Sequence, residues 1–174
     1  LFLFDRPFDP AFVYSDRVTP VSVFPPARHP LLFYAWFEHA VPRVLKQWKA
    51  DVFFSPDSFL SLSTKVRTVL TVHDVIPLQT PEQVKWIHRI YYQRYLRRFM
   101  ERADQVLTVS EYTKTSIVET SGISPDKIKV VYNGCRDIFR PVALEQQAAI
   151  RARFSDGKPY FFYTGAIHPR KNIP

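Results

Sequence analysis

Glycine is scarce in this chain, at 4 of 174 residues, which argues against a Gly-rich loop wrapped closely round a nucleotide phosphate. There is one cysteine, Cys135, so no internal disulfide can form. A stapled secreted scaffold is thereby excluded, and a reducing compartment, the cytoplasm, is the simpler expectation. No apolar run approaches the ~20 residues that cross a bilayer. The first residues read as a short strand, not as a charged region followed by an apolar leader, so neither a spanning segment nor an export signal is expected. Internal repeats, low-complexity segments and metal-ligand spacings of His with carboxylates are also missing, and no metal is expected.

What is present is apolar and basic. Apolar residues make up 46%, with 15 Phe and 9 Tyr, enough to bury one proper core. The net charge of +8 favours an anionic partner: nucleic acid, phospholipid head groups or a phosphorylated small molecule.

Short β-branched or aromatic runs predict strands at Leu1–Phe4, Val21–Phe24, Asp51–Phe54, Thr68–Val72, Gln105–Val109, Lys127–Tyr132 and Tyr160–Thr164. Helices are predicted between them. Leu31–Trp48 should be helical with a kink or restart at Pro42. Glu82–Arg102 should start after the cap Thr80 and Pro81. Ser110 should cap a helix that Gly122 stops. Apolar strands alternating with helices predict an α/β fold, doubly wound, with a mostly parallel sheet covered by helices on both faces. The boundaries expected are a first domain over 1–141, a connection over 142–157, and the first strand and loop of a second domain over 158–174.

Such a sheet binds ligands outside the carboxyl ends of its strands, so polar residues that follow strands carry the chemistry. Thr68–Val72 runs into His73 and Asp74. A neutral imidazole there can exchange hydrogen bonds with a sugar hydroxyl or a developing charge; the alternative is a His held by Asp74 or by a nearby backbone group. Gln105–Val109 runs into Ser110, where free helix N–H groups face an anion, although capping alone accounts for the Ser. Val130-Val131-Tyr132 runs into Asn133 and Gly134, whose default meaning is a tight turn. Tyr160–Thr164 runs into Gly165 and then Arg170 and Lys171, a planar fork beside a point charge that suits a diphosphate; the alternative is a solvated basic turn.

Four segments in this order, Thr71–Pro77, Ala103–Lys114, Ile123–Gly134 and Gly165–Asn172, resemble the family 4 retaining glycosyltransferases of two-domain GT-B architecture. The resemblance runs from about Asp51 to the end and implies a Rossmann-like acceptor-side domain leading into the start of a donor-binding domain. It implies transfer of a hexose, with mannose the first candidate, from a nucleoside diphosphate sugar to a glycan or lipid-linked glycan, with no other cofactor. His73 would lie by the transferred sugar as the catalytic residue. Arg170, Lys171 and Gly165 would face the donor diphosphate, and Asp74, Ser110, Asn133 and Gly134 would line the cleft. Ala166 stands where many relatives carry an Arg. The family's Gly-rich loop and paired-glutamate motif are not in these residues, so the chain is expected to be inactive without the rest of the donor domain.

Glu82–Arg102 holds six Lys or Arg against two Glu, among five aromatics. That mixture suits an anionic membrane surface and extends the expected location to the periphery of the inner membrane face. Arg94 and Arg98 nevertheless fall close to the Ile87 and Tyr91 row, which favours a packing helix with a solvated basic edge. The rival reading of the whole chain is a non-catalytic basic module that binds an anionic polymer or nucleic acid. No nucleic-acid motif appears, and the key polar residues follow strands, so no nucleic-acid partner is expected.

Overall fold

The computed structural model describes residues 1–167, Lys171 and Ile173, and it divides into two compact units, Leu1–Tyr132 and Asn133–Pro174. The division falls after Tyr132, whereas the sequence places the end of the first domain near Pro141.

In the first unit every strand pairing is parallel. β1 (Phe2–Phe4) pairs with β2 (Pro20–Ser22). A second sheet runs in chain order through β3 (Val52–Ser55), β4 (Arg67–Val72), β5 (Gln105–Thr108) and β6 (Ile128–Val130). Between β2 and β3 lie α1 (Pro30–Ala35) and α2 (Val41–Gln47); between β4 and β5 lie α3 (Ile76–Gln79) and α4 (Trp86–Arg102); α5 (Glu111–Ser121) joins β5 to β6. This is the α/β class expected from the alternation of strands and helices, with the crossovers that parallel strands require.

The core is built on one face of the four-stranded sheet. The register puts Phe53, Thr68, Leu70, Val72, Val106, Thr108 and Ile128 on that face, all buried. Leu96, Phe99 and Met100 of α4, Ile117 of α5, and Val41 and Leu45 of α2 join the same cluster. Thr108 is fully buried, and its hydroxyl has no partner among the described residues. An unpaired buried hydroxyl costs roughly 1–3 kcal/mol. Thr108→Val, which keeps the shape and removes the polar atom, should therefore raise stability by about 1 kcal/mol, read as a higher urea midpoint at unchanged m-value.

A second helix starts at Pro42 as expected, with Pro42 in the first turn of α2; the join before it and the start of α4 differ from the sequence prediction. α1 and α2 are joined by a π turn over Trp36–Ala40. Pro42 cannot donate to Glu38. The Glu38 carbonyl instead accepts the Ser63 hydroxyl at 3.0 Å, while its carboxylate accepts the N–H groups of Leu62 and Ser63 at 2.6 and 3.0 Å. α4 starts at Trp86, not Glu82: Pro81–Gln83 form a separate tight turn, and the Thr80 hydroxyl turns back to the Ile76 carbonyl instead of capping.

Asp104 fastens β4 to β5. Its carboxylate accepts the backbone N–H and the hydroxyl of Thr68 at 2.7 and 3.2 Å, and its own N–H donates to the Thr68 carbonyl at 2.9 Å. The Thr68 N–H, more than the nearby Arg102, holds the Asp104 pKa below its ordinary 3.8. A depressed folded pKa stabilises above the unfolded value and is lost as pH falls through the folded one. The stability gap between wild type and Asp104→Asn should hold near about pH 6 and close on titration toward about pH 2.

The second unit holds α6 (Leu144–Ser155), ended by Asp156 in a left-handed conformation. Tyr160–Thr164, predicted as a strand, forms none, and Phe161 and Phe162 are exposed. A strand needs a neighbour to hydrogen-bond, and no strand is present among the described residues of this unit. None of those residues is buried.

Candidate functional site

β4 ends at Val72, and the next residues, His73 and Asp74, are exposed at the carboxyl edge of the sheet. Of the two partners weighed for the His73 imidazole, Asp74 and a backbone group, the structure shows the backbone group. The ring Nε2 lies 2.9 Å from the carbonyl oxygen of Pro56, just after β3. A carbonyl can only accept, so Nε2 carries the proton, and in the neutral ring Nδ1 is the lone-pair nitrogen. Asp74 instead accepts the Ile76 N–H at 3.1 Å and so starts α3, while Val75 between them is fully buried and anchors the turn.

The next strand end joins the same edge. Ser110 caps α5 as its sequence predicts, accepting the Thr113 N–H at 3.1 Å, with the two hydroxyls 3.0 Å apart. The Thr113 hydroxyl donates to the His73 backbone carbonyl at 3.4 Å. The carboxyl ends of β3, β4 and β5 are thus tied through Pro56, His73, Thr113 and Ser110. Gly122, at φ 69°, ends α5 as expected.

Sequence reasoning missed two members of this edge. Thr113 sits in the first turn of α5, where the capping pattern explains it fully. Tyr92 is one of five aromatics on α4; its ring packs 5.6 Å from that of Phe59. Burial first, then the charges of Asp74 and Asp57, push its pKa up. The Tyr92 hydroxyl therefore stays protonated at neutral pH.

The other predicted residues belong to the second unit. Asn133 and Gly134 are exposed, and neither takes a positive φ, so the tight turn expected of Asn-Gly is absent. β6 pairs only in parallel and has no hairpin to close. Gly165 has φ 149°, and a Cβ there would lie 2.6 Å from the Tyr163 hydroxyl, which donates to the Ala166 carbonyl. Lys171 is exposed. Arg170 lies outside the described residues. The structure brings together His73, Asp74 and Ser110. Among the described residues, no group of three or more His, Cys, Asp or Glu could hold a metal ion.

The family model described as Glycosyltransferase Family 4 matches residues 1–137, the stretch that contains this whole edge. The chain belongs to that glycosyltransferase family. Among curated relatives, it is 32% identical over 104 residues to the O-antigen chain mannosyltransferase RfbU of Salmonella typhimurium strain LT2, covering 60% of this chain and 26% of that protein. It is 25% identical over 151 residues to the O-antigen chain mannosyltransferase B of Escherichia coli, covering 84% of this chain and 39% of that protein. The family 4 chain therefore spans between a quarter and two fifths of these relatives. A crystal structure of a glycosyltransferase from Rickettsia africae ESF-5 superposes with a TM-score of 0.53 at 15% identity, over 90% of this chain and 41% of that one. At that identity the likeness concerns the fold, and it agrees with a Rossmann-like half.

The helix weighed as a membrane surface packs one face against the core and leaves the other exposed. Tyr91, Leu96, Phe99 and Met100 are buried. Arg94 and Arg98 lie 5.8 and 5.6 Å from the Tyr95 ring, Arg97 pairs with Glu101 at 2.8 Å, and Arg102 donates to the carbonyls of Thr64 and Val66. No helix among the described residues is long and apolar enough to cross a membrane.

Proposed function

We propose that this chain is the acceptor-side domain, with the first residues of the donor side, of a retaining GT-B glycosyltransferase that acts in the cytoplasm. The whole enzyme transfers a hexose, mannose by preference, from a nucleoside diphosphate sugar to a hydroxyl of a glycan or lipid-linked glycan at the inner membrane face. The observation that carries this reading is the edge at His73. Three parallel strands end there, an imidazole has one nitrogen committed to a carbonyl and the other left for a ligand, and the family match covers every residue involved.

The two O-antigen mannosyltransferases support mannose as the sugar. His73 orients the sugar, Tyr92 and Ser110 present hydroxyls to the cleft, and Arg170 with Lys171 offsets charge on the departing diphosphate. The basic binding module is not favoured, because a polymer surface does not need its polar groups gathered where strands end.

The test is transfer by the full-length protein from a panel of nucleoside diphosphate hexoses to a saccharide acceptor, with the anomeric configuration of the product read by NMR. Retention with a mannosyl donor is expected; inversion, or transfer from no donor in the panel, sinks the reading. In the same protein, Lys171→Ala should weaken nucleoside diphosphate binding and slow turnover together, because a charge on the diphosphate acts in the ground and transition states alike. Calorimetry with the nucleoside diphosphate measures the first effect and initial rates the second.

A further inference from the structure

At 3.6 residues per turn, Trp86, Ile90, Arg94 and Arg97 of α4 fall on one stripe, all exposed, while Leu96 and Phe99 point the opposite way into the core. Trp86 is 67% exposed, a large apolar area to leave in water. α1 lies alongside, with the Phe33 ring 6.0 Å from that of Tyr91 and the Tyr34 ring 6.3 Å from that of Tyr95. It adds the exposed Tyr34 and, one turn earlier on the same side, Leu31, which is 74% exposed. Leu31, Tyr34, Trp86 and Ile90 thus share one outward surface.

The charge of that surface is one-sided. Arg94 and Arg98 lie 5.8 and 5.6 Å from the Tyr95 ring and pair with no carboxylate among the described residues. Arg97 is taken by Glu101, and Lys85 stands exposed beside Trp86. Such a surface repels a second copy of itself, because two-fold pairing would set arginines against like charge with no free acid to meet them. A nucleic acid would use the rings and the cations, but Leu31 and Ile90 give a base no platform to stack on. An anionic bilayer uses every group. Phosphates meet the guanidinium ions, the rings sit at head-group level, and the aliphatic side chains reach the acyl boundary.

We propose that this face of α1 and α4 docks the protein on a bilayer rich in anionic phospholipid. The apolar end of α4 is the end nearest the strand-end edge: α3, which follows His73 and Asp74, packs against α4, and Tyr92 in its second turn feels the Asp74 charge. Trp86 therefore enters the head groups close to that edge, and Arg94 and Arg98 meet phosphates about two turns farther along. Docked this way, the protein holds His73 near the membrane-borne end of a lipid-linked acceptor; that consequence rests on the proposed transfer reaction, and the docking does not.

Vesicle cosedimentation of the full-length protein tests this. Binding to vesicles of phosphatidylglycerol mixed with phosphatidylcholine should exceed binding to phosphatidylcholine alone by roughly 10-fold or more, and should weaken as salt is raised. Arg94→Gln combined with Arg98→Gln should lower binding to the anionic vesicles roughly 10-fold or more. Both side chains are exposed, so the thermal midpoint of the double variant should stay near wild type. Tryptophan emission should shift to the blue on vesicle addition, and Trp86→Phe should keep the binding but lose most of the shift. Equal binding to the two vesicle types, or unchanged affinity in the double variant, overturns the proposal. A blue shift that survives Trp86→Phe puts the docking elsewhere and overturns it too. So does a double variant that binds a single-stranded oligonucleotide more weakly while its vesicle binding holds, which would assign the face to an anionic polymer. Transfer to a water-soluble saccharide acceptor should be the same in wild type and double variant, so failure to dock and failure of the transferase reading are told apart.

Discussion

The 174-residue chain alone should transfer no sugar above the uncatalysed background when incubated with a nucleoside diphosphate mannose and a saccharide acceptor. Glycosyl transfer from such a donor needs the diphosphate neutralised, the sugar oriented and water kept away from a reactive anomeric carbon. The first unit offers the strand-end edge with His73, Tyr92 and Ser110. The second unit offers Lys171, but none of its described residues is buried, and Phe154, Phe161 and Ile167 lie open to solvent. A segment without a core provides no walled pocket from which water is excluded, and relatives at least twice as long leave room for one. Transfer assays sensitive to about 10⁻⁴ of a typical enzyme turnover would measure this. Turnover by the short chain would show that the first unit and the basic loop suffice, and would remove the need for a donor domain.

Much of this arrangement is legible in the sequence because single residues decide it. Ser110 and Gly122 bound α5 through local capping and a left-handed stop, which need no tertiary partner. The strand runs ending at Val72 and Thr108 are recognisable because a strand buried in a parallel sheet must be continuously apolar or β-branched. Where tertiary contacts decide, the sequence is silent or misleads. The π turn depends on Ser63, 25 residues away from Glu38, accepting a role that Pro42 leaves vacant. The aromatic run Tyr160–Thr164 has strand composition, yet composition does not supply a hydrogen-bonding neighbour. His73 is legible as a residue at a strand end, and a backbone partner is foreseeable, but not which one: the Pro56 carbonyl comes from the preceding strand's loop, 17 residues earlier. Tyr92 was hidden for the same reason, since only the fold brings Asp57 and Asp74 to bear on it.

His73→Ala in the full-length enzyme should lower turnover by roughly 10²-fold or more while leaving nucleoside diphosphate affinity nearly intact. The imidazole has two separable roles. Nε2–H bonded to Pro56 braces the ends of β3 and β4, and Nδ1 is left to meet a ligand. Loss of the brace costs on the order of 1 kcal/mol of stability, because the pair is exposed and water replaces it. On the proposed function, loss of Nδ1 removes a group that meets the reacting sugar, where a hydrogen bond strengthens as charge develops. The two are distinguished by His73→Gln. Its side-chain amide can still donate to the Pro56 carbonyl, so it should recover stability close to wild type, read from the thermal midpoint. Turnover should remain low, because the imidazole nitrogen is gone. If His73→Gln restores turnover along with stability, His73 is a brace between strand ends and nothing more. If His73→Ala weakens nucleoside diphosphate binding as strongly as Lys171→Ala does, the imidazole contacts the phosphates and not the sugar. Initial rates and calorimetry on the same preparations separate the three outcomes.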